Sequence, residues 1–142
     1  MLDCKSMSTP MDTNLNLLSD ETSELVDMIH YRQIIGSLMY LTNTRPYICF
    51  VVNTLSQYLF KPRCVHLIVA NHVIRYLKGM TDLGLYYGRY HDYRLYGYMD
   101  SAWSGSTADR KNTSNGCYGV GSTMISWFSK KQSSVALSSA EA

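Results

Sequence analysis

The sequence has no apolar run near the ~18–20 residues that a membrane-crossing helix needs. Its first residues, Met1-Leu-Asp-Cys-Lys5, also lack the basic segment followed by an apolar segment that marks a secretory signal. We therefore expect no membrane contact and an intracellular location in the cytoplasm or nucleus. Three prolines and nine glycines are too few for a low-complexity chain, and 142 residues with 46% apolar content suit one modest core.

Cysteine is scarce and shows no metal-binding spacing. Cys4, Cys49, Cys64 and Cys117 form no Cys-x-x-Cys pair, so free thiols are expected rather than a zinc knuckle or a disulfide framework. Cys64, His66 and His72 are close in sequence, but they offer only three ligands within one amphipathic helical segment. The sequence therefore predicts no metal site there and no cofactor.

Charge is distributed unevenly along the chain. The first thirty residues carry six acidic side chains and one lysine, whereas residues 31–99 carry eight basic side chains against Asp82 and Asp92. Cations interleaved with tyrosines are typical of a surface that follows a phosphate backbone, because rings can stack while cations neutralise phosphates. Solvated helix faces give the same composition, so both interpretations stay open.

Apolar spacing predicts three helices after an acidic, irregular arm. The first begins at Tyr31 and ends in the Thr-Asn-Thr-Arg-Pro run at 42–46. The second starts at Pro46 and runs to about Phe60, and the third runs from about Val65 to Lys78 with Gly79 as its cap. The expected buried residues, helix by helix, are Tyr31, Ile34, Ile35, Leu38 and Leu41; Phe50, Val51, Leu55, Tyr58 and Leu59; and Ile68, Val69, Val73, Ile74 and Leu77.

Strand-forming composition replaces the helical pattern after Gly79. The predicted strands are Leu95–Met99, Gly116–Val120 and Thr123–Phe128, and they form an antiparallel meander. The Gly121-Ser122 pair suits a type II′ hairpin between the last two strands. A helix is expected to begin near Ser138 or Ser139. Helices followed by a meander predict an α+β fold.

Asp100 directly follows the first predicted strand, which puts one carboxylate at the end of a sheet. Alone this is a weak sign of catalysis, but the surrounding segments are more specific. In order they resemble the Pol polyprotein of copia-type LTR retrotransposons, from the end of reverse transcriptase into RNase H. The segments that carry the resemblance are Ser8–Met11, Tyr31–Thr42, Thr44–Pro46, Val52-Asn53, Leu55–Gln57, Arg75–Gly79, Asp82–Leu85, Gly97–Asp100, Trp103–Gly105, Asp109-Arg110, Thr113-Ser114, Ile125–Trp127, Ser129–Gln132 and Ser138–Ala142.

The resemblance implies a specific architecture. Residues 1–30 would be an acidic flexible arm, and residues 31–82 a helical segment like the reverse-transcriptase thumb and connection. Residues 83–142 would be a truncated RNase H-like domain with the first three strands and the start of the first helix. Two positions depart from the usual family pattern, Tyr47 after Arg45-Pro46 and Ala102 before Trp103.

The resemblance also implies a partial metal site. The family's RNase H enzymes hold two Mg²⁺ ions with four carboxylates, and Asp100 matches the first of these. Glu141 is a candidate for the second, although the family's ligand is expected to be the glutamate that would follow Ala142. The remaining ligands would also lie beyond this chain, as the polymerase aspartates would lie upstream of it. We therefore expect no nuclease activity, no polymerase activity and no cofactor for this chain.

The helical segment resembles the region of the parent enzyme that grips the template–primer duplex. The resemblance implies weak, salt-sensitive binding of RNA–DNA or DNA duplex. The candidate binding residues are Arg32, Arg45, Lys61, Arg63, Arg75 and Lys78.

An alternative is a secreted effector of a plant pathogen that has reused a retroelement fragment. Arg75-Tyr-Leu-Lys78 is loosely similar to the Arg-x-Leu-Arg translocation motif of oomycete effectors, although it lies in a predicted helix without a signal segment ahead of it. Such a protein would be delivered into host cells, bind a host protein and suppress defence or cell death.

Overall fold

The structure is a computed structural model that describes residues 4–12, 23–89, 93–101, 111–133 and 135. Contacts divide the chain into two compact units, Met1–Gly84 and Leu85–Ala142, which we call the helical unit and the sheet unit. Among the described residues, the three α-helices belong to the first unit and the three strands to the second. The finer division at residues 30 and 82 stays a prediction.

Helix α1 spans Met28–Leu41 and begins earlier than the apolar spacing predicts. The reason is Asp27, whose side chain accepts a hydrogen bond from the Ile29 backbone N–H at 2.9 Å and so caps the helix. The helix ends before Thr42, as the polar run that follows it predicts.

The second helix is shorter than predicted. Pro46–Ile48 form a single 3-10 turn that begins with the proline, and α2 then spans Cys49–Ser56 instead of reaching Phe60. The hydroxyls of Thr54 and Ser56 donate to backbone carbonyls of the same helix at 2.9 and 2.7 Å. Such bonds compete with the helical ladder, which is a physical reason for the early end.

Helix α3 spans Cys64–Lys78. The Arg63 backbone N–H donates to Nδ1 of His66 at 3.0 Å, and the buried His66 ring stacks on Tyr58 with 3.9 Å between centroids. His66 therefore caps the N-terminus of α3. Gly79 is the C-cap residue, as predicted, and its φ of −81° lies in the ordinary right-handed region.

The core of the helical unit lies between the three helices and the 3-10 turn. Its buried residues are Tyr31, Ile35, Leu38, Ile48, Val51, Val52, Leu55, Val69, Ala70, Val73 and Tyr76. The prediction of burial is wrong for three residues, since Leu41, Phe50 and Ile68 are 38%, 48% and 60% exposed. Helix α3 is apolar on several sides, and the stripe that contains Val69 and Val73 faces the core while Ile68 faces away.

Two N-terminal segments bind to these helices. Residues 4–12, called the N-terminal strap below, contact α3, where the Met7 N–H donates to the Arg75 carbonyl at 3.4 Å. Residues 23–27 pair with the chain that leads into α3. There the Val26 N–H donates to the Pro62 carbonyl at 3.1 Å, and the backbone N–H of the first α3 residue donates to the Glu24 carbonyl at 2.9 Å.

The sheet unit contains the predicted antiparallel meander. Its strands are β1 (Leu95–Ser101), β2 (Thr113–Val120) and β3 (Thr123–Lys131), in the order β1-β2-β3, and each is longer than predicted. Gly121 opens the two-residue hairpin with a φ of 64°, a conformation that a type II′ turn requires and that side chains disfavour. A register shift after Tyr118 leaves Ile125 as a bulge in β3.

Aromatic rings cover glycines across the sheet. Tyr96 lies over Gly119, Phe128 over Gly116 and Tyr118 over Gly97, each pair being direct cross-strand neighbours. A Cβ at Gly97 would lie only 2.8 Å from the Tyr118 ring, and the other two pairs are closer still. These glycines give the rings room to lie flat on the strands, which fixes the register of the meander.

The described residues form an α+β fold, as predicted. Its assignment as an incomplete RNase H-like fold stays a prediction. Within the described part of the chain, no helix is both long enough and apolar enough to cross a membrane.

Candidate nucleic-acid interface

Three of the predicted nucleic-acid-binding residues lie around the C-terminal end of α3. Arg75 Nε and Lys78 Nζ donate to backbone carbonyls of the N-terminal strap at 2.9 and 2.8 Å. Both are in the last helical turn, where cations offset the helix dipole. Arg45 donates to the carbonyl of Met80, just beyond the helix, at 3.4 Å. We call these three residues the C-terminal cluster.

The other three lie around the segment that leads into α3. Arg32 Nε donates to the Leu59 carbonyl at 3.1 Å, and Arg63 Nη1 donates to the Ser23 carbonyl at 2.7 Å. Lys61 is exposed, with its Nζ 5.9 Å from the centre of the neighbouring phenylalanine ring. We call these three residues the N-terminal cluster.

Within the described part of the chain, Arg32, Arg45, Arg63 and Arg75 donate hydrogen bonds to neutral acceptors. Backbone carbonyls and the Tyr47 hydroxyl, which Arg45 contacts at 3.1 Å, hold the side chains in place without cancelling their charge. Helix α3 has 15 residues and is about 22 Å long, so the clusters lie at opposite ends of a span comparable to about six phosphates of one strand.

His72 joins the C-terminal cluster, which sequence reasoning missed. Its Nε2 is 2.8 Å from the Thr9 carbonyl, one turn before Arg75 on α3. The spacing of His72, Arg75 and Lys78 at three-residue intervals was the available signal, because such residues share a helix face.

The histidines and cysteines near α3 have structural roles. His66 caps the helix and His72 contacts the strap, while Cys64 is an exposed free thiol. All four cysteines are free, as predicted. Among the described residues, no three His, Cys, Asp or Glu side chains come together as a metal-binding group.

Asp100 lies within β1 rather than after it. It is exposed and pairs with Asn115 of β2, which in turn pairs with Ser129 of β3. Cross-strand neighbours share a face of the sheet, so a carboxylate, an amide and a hydroxyl form one row. The Ser129 Oγ is buried and has no hydrogen-bond partner among the described residues.

This row fits a Mg²⁺ site poorly. Oxygen donors are the right chemistry for Mg²⁺, but two ions need several carboxylates and the row offers only that of Asp100. Glu141, the other predicted ligand, lies outside the described residues.

Comparisons with known proteins find clear relatives. The chain is 39% identical over 99% of its length to an uncharacterized mitochondrial protein of Arabidopsis thaliana, of which it covers 58%. It is 40% identical over its whole length to the retrovirus-related Pol polyprotein from transposon RE2 of the same plant, of which it covers 10%. It is 37% identical over 80% of its length to secreted RxLR effector protein 161 of Plasmopara viticola, of which it covers 80%.

These similarities define a class of retroelement-derived proteins. Within that class, the chain belongs to the family of copia-type retrotransposon Pol polyproteins and their fragments, as the sequence motifs predict. It spans a little over half of the first relative and a tenth of the polyprotein. No family model matches the chain. No solved structure matches it either.

Proposed function

We propose that this chain is a nucleic-acid-binding part of a Pol polyprotein that has no nuclease or polymerase activity of its own. Its helical unit holds an RNA–DNA or DNA duplex weakly, through the two cationic clusters. The observation that carries this proposal is the neutral set of acceptors around Arg32, Arg45, Arg63 and Arg75. Their positions are fixed by the fold, while their charges remain available to an anion.

Phosphates suit these clusters better than other anions of the cell. An arginine that donates one N–H to a carbonyl keeps other donors, which match the paired oxygens of a phosphate. A regular row of phosphates can also contact positive charges at both ends of a helix at the same time. Binding of this kind is independent of base sequence and sensitive to salt.

The absence of catalysis is argued from the donors around Asp100. Its cross-strand neighbour Asn115 and the Ser129 that pairs with Asn115 are neutral, so they do not raise the local negative charge that holds a divalent ion. A single exposed carboxylate binds Mg²⁺ weakly.

Lys61 offers the sharpest test of the binding proposal. It is exposed, and among the described residues no hydrogen bond to the backbone holds its side chain, so Lys61→Gln removes a charge from the N-terminal cluster without breaking such a bond. We expect about threefold weaker binding of a fluorescent 20-base-pair duplex at low salt, on the scale of one lost phosphate contact. Lys130→Gln, an exposed change in β3, is the matched control and leaves affinity unchanged. Equal affinities for both variants and the parent chain would contradict the proposal.

A second candidate function is that of a pathogen effector. It is supported by the similarity to the secreted effector of Plasmopara viticola, which extends over most of both chains. The intact mass of the endogenous protein in cell extract and in secreted fluid separates the two. A secreted species near 16.2 kDa favours the effector, and a larger species inside cells favours a Pol polyprotein.

A further inference from the structure

The N-terminal strap covers three side chains on α3, those of His72, Arg75 and Lys78. Carbonyls of Cys4, Lys5 and Thr9 lie 2.8, 2.9 and 2.8 Å from Lys78 Nζ, Arg75 Nε and His72 Nε2. Three successive polar side chains on one face of α3 are therefore engaged by one short segment. Each of these three acceptors is a neutral backbone carbonyl.

Apolar packing and surface hydrogen bonds attach the strap to the helical unit. Met7 and Met11 are partly buried against the helical core, and the Met7 N–H donates to the Arg75 carbonyl. Hydrogen bonds from His72, Arg75 and Lys78 at the surface add to these attachments. A segment attached in this way can leave α3 without unfolding it.

Gly79 is suited to this close approach. A Cβ at Gly79 would lie 3.0 Å from the Ser6 Cβ, closer than most side-chain contacts, and its φ of −81° is open to any residue. The glycine therefore gives the strap room, since the backbone conformation does not require it.

A polyanion competes for the same donors. A phosphate oxygen carries negative charge and the carbonyls of the strap do not, so the cationic groups of Arg75 and Lys78 are attracted more strongly to phosphate. A bound phosphate backbone would thus replace the carbonyls of the strap at Arg75 and Lys78.

We propose that the N-terminal strap is a displaceable cover that competes with nucleic acid for His72, Arg75 and Lys78 and so lowers the affinity of the helical unit. This inference rests on the proposed nucleic-acid binding. It predicts that locking the strap weakens binding and that releasing it strengthens binding.

A disulfide between the strap and the C-terminal end of α3 would lock the strap in its bound position. Ser6→Cys with Gly79→Cys places two Cβ atoms about 3 Å apart, and a shift of several tenths of an ångström reaches the ~3.8 Å typical of disulfides. Cys4→Ser and Cys64→Ser remove the two exposed thiols that would compete. The oxidised full chain should bind a 20-base-pair DNA duplex at least threefold more weakly than the same chain after reduction.

The release variant removes the two anchors without changing charge. Met7→Ser with Met11→Ser should tighten duplex binding about threefold to tenfold at low salt. Met39→Ser, at a half-exposed position on α1, is the matched control and should bind like the parent chain. Circular dichroism checks that the helices of each variant remain folded, and the lock compares one protein in two redox states even if the release variant unfolds.

The outcomes distinguish the two proposals. Weaker binding when locked and tighter binding when released support the cover. Measurable binding that neither change affects overturns the cover but leaves the proposed function intact. No duplex binding by the parent, the reduced lock or the release variant overturns both.

Discussion

Tyr31 shows how one buried polar group ties two helices together. Its ring is fully buried, and its hydroxyl donates to the Leu55 carbonyl in α2 at 2.9 Å. Burial, and to a smaller extent Tyr58, raises the pKa of Tyr31 above its usual value of about 10. Folding therefore favours the protonated, neutral form of the Tyr31 hydroxyl.

The first prediction concerns Tyr31→Phe. At pH 7 the lost bond leaves the Leu55 carbonyl without this donor and should lower the free energy of unfolding by about 1–3 kcal/mol. Because the folded-state pKa is raised, the contribution of Tyr31 is complete below pH ~10. It falls above that pH by about 1.4 kcal/mol per pH unit, because the tyrosine ionises in the unfolded chain but not in the folded one.

Urea unfolding between pH 7 and 10.5 measures this difference. Tyr40→Phe is the matched control, since Tyr40 is 78% exposed on the same helix and should show no difference from the parent chain. A gap between Tyr31→Phe and the parent that stays constant above pH 10 would refute the assigned ionisation.

Individual residues of the candidate site differ in how far the sequence predicts them. The cationic side chains are visible in the sequence, and the structure gathers them at the two ends of α3. Their acceptors could not be predicted, because every residue has a backbone carbonyl and the sequence does not show that those of Lys5 and Leu59 would accept these bonds.

At the scale of elements, the strands of the sheet are fixed by rings over glycines. The second prediction compares two glycine substitutions. Gly119→Ala pushes a Cβ into the Tyr96 ring and should destabilise the sheet unit by about 1–3 kcal/mol. Gly36→Ala lies in the middle of α1, where the new Cβ would meet no described atom within 4 Å apart from its chain neighbours and the backbone of its own helix; it should stabilise the helical unit by roughly 0.5–1 kcal/mol.

Two spectroscopic signals separate these effects. Residues 1–84 contain no tryptophan and Trp127 lies in β3, so tryptophan fluorescence follows the unfolding of the sheet unit, while far-ultraviolet circular dichroism follows the helices. Gly119→Ala should move the fluorescence transition to lower denaturant. If it leaves that transition in place, the rings do not hold the register.

The elements themselves were predictable where local signals agree. The polar run after Leu41 predicted the end of α1, Pro46 predicted the start of the next helical segment, and Gly121-Ser122 predicted the hairpin; the structure confirms all three. Burial on α3 was not predictable in detail, because a helix that is apolar on several sides can turn Ile68 or Val69 inward, and packing against the other helices decides. The start of α1 was missed because the Asp27 cap lies among other acidic residues.

For the whole molecule, the third prediction concerns catalysis. The purified 142-residue chain should not cleave an RNA–DNA hybrid in the presence of Mg²⁺, because the row of Asp100, Asn115 and Ser129 in the described sheet supplies a single carboxylate. Any cleavage should be equal in the parent and in Asp100→Asn, which would trace it to contamination. Cleavage by the parent that Asp100→Asn abolishes would show that a complete metal site forms.

The central claim is that the helical unit binds nucleic acid through charge. Its most direct test is the dissociation constant of the full chain for a 20-base-pair duplex, measured between 25 and 200 mM salt on the scale where counterion release dominates. With up to six phosphate contacts, we expect the logarithm of affinity to fall with the logarithm of salt with a slope of about −3 to −5, alike for unrelated base sequences. A flat salt dependence, or no binding at 25 mM salt, would contradict the account.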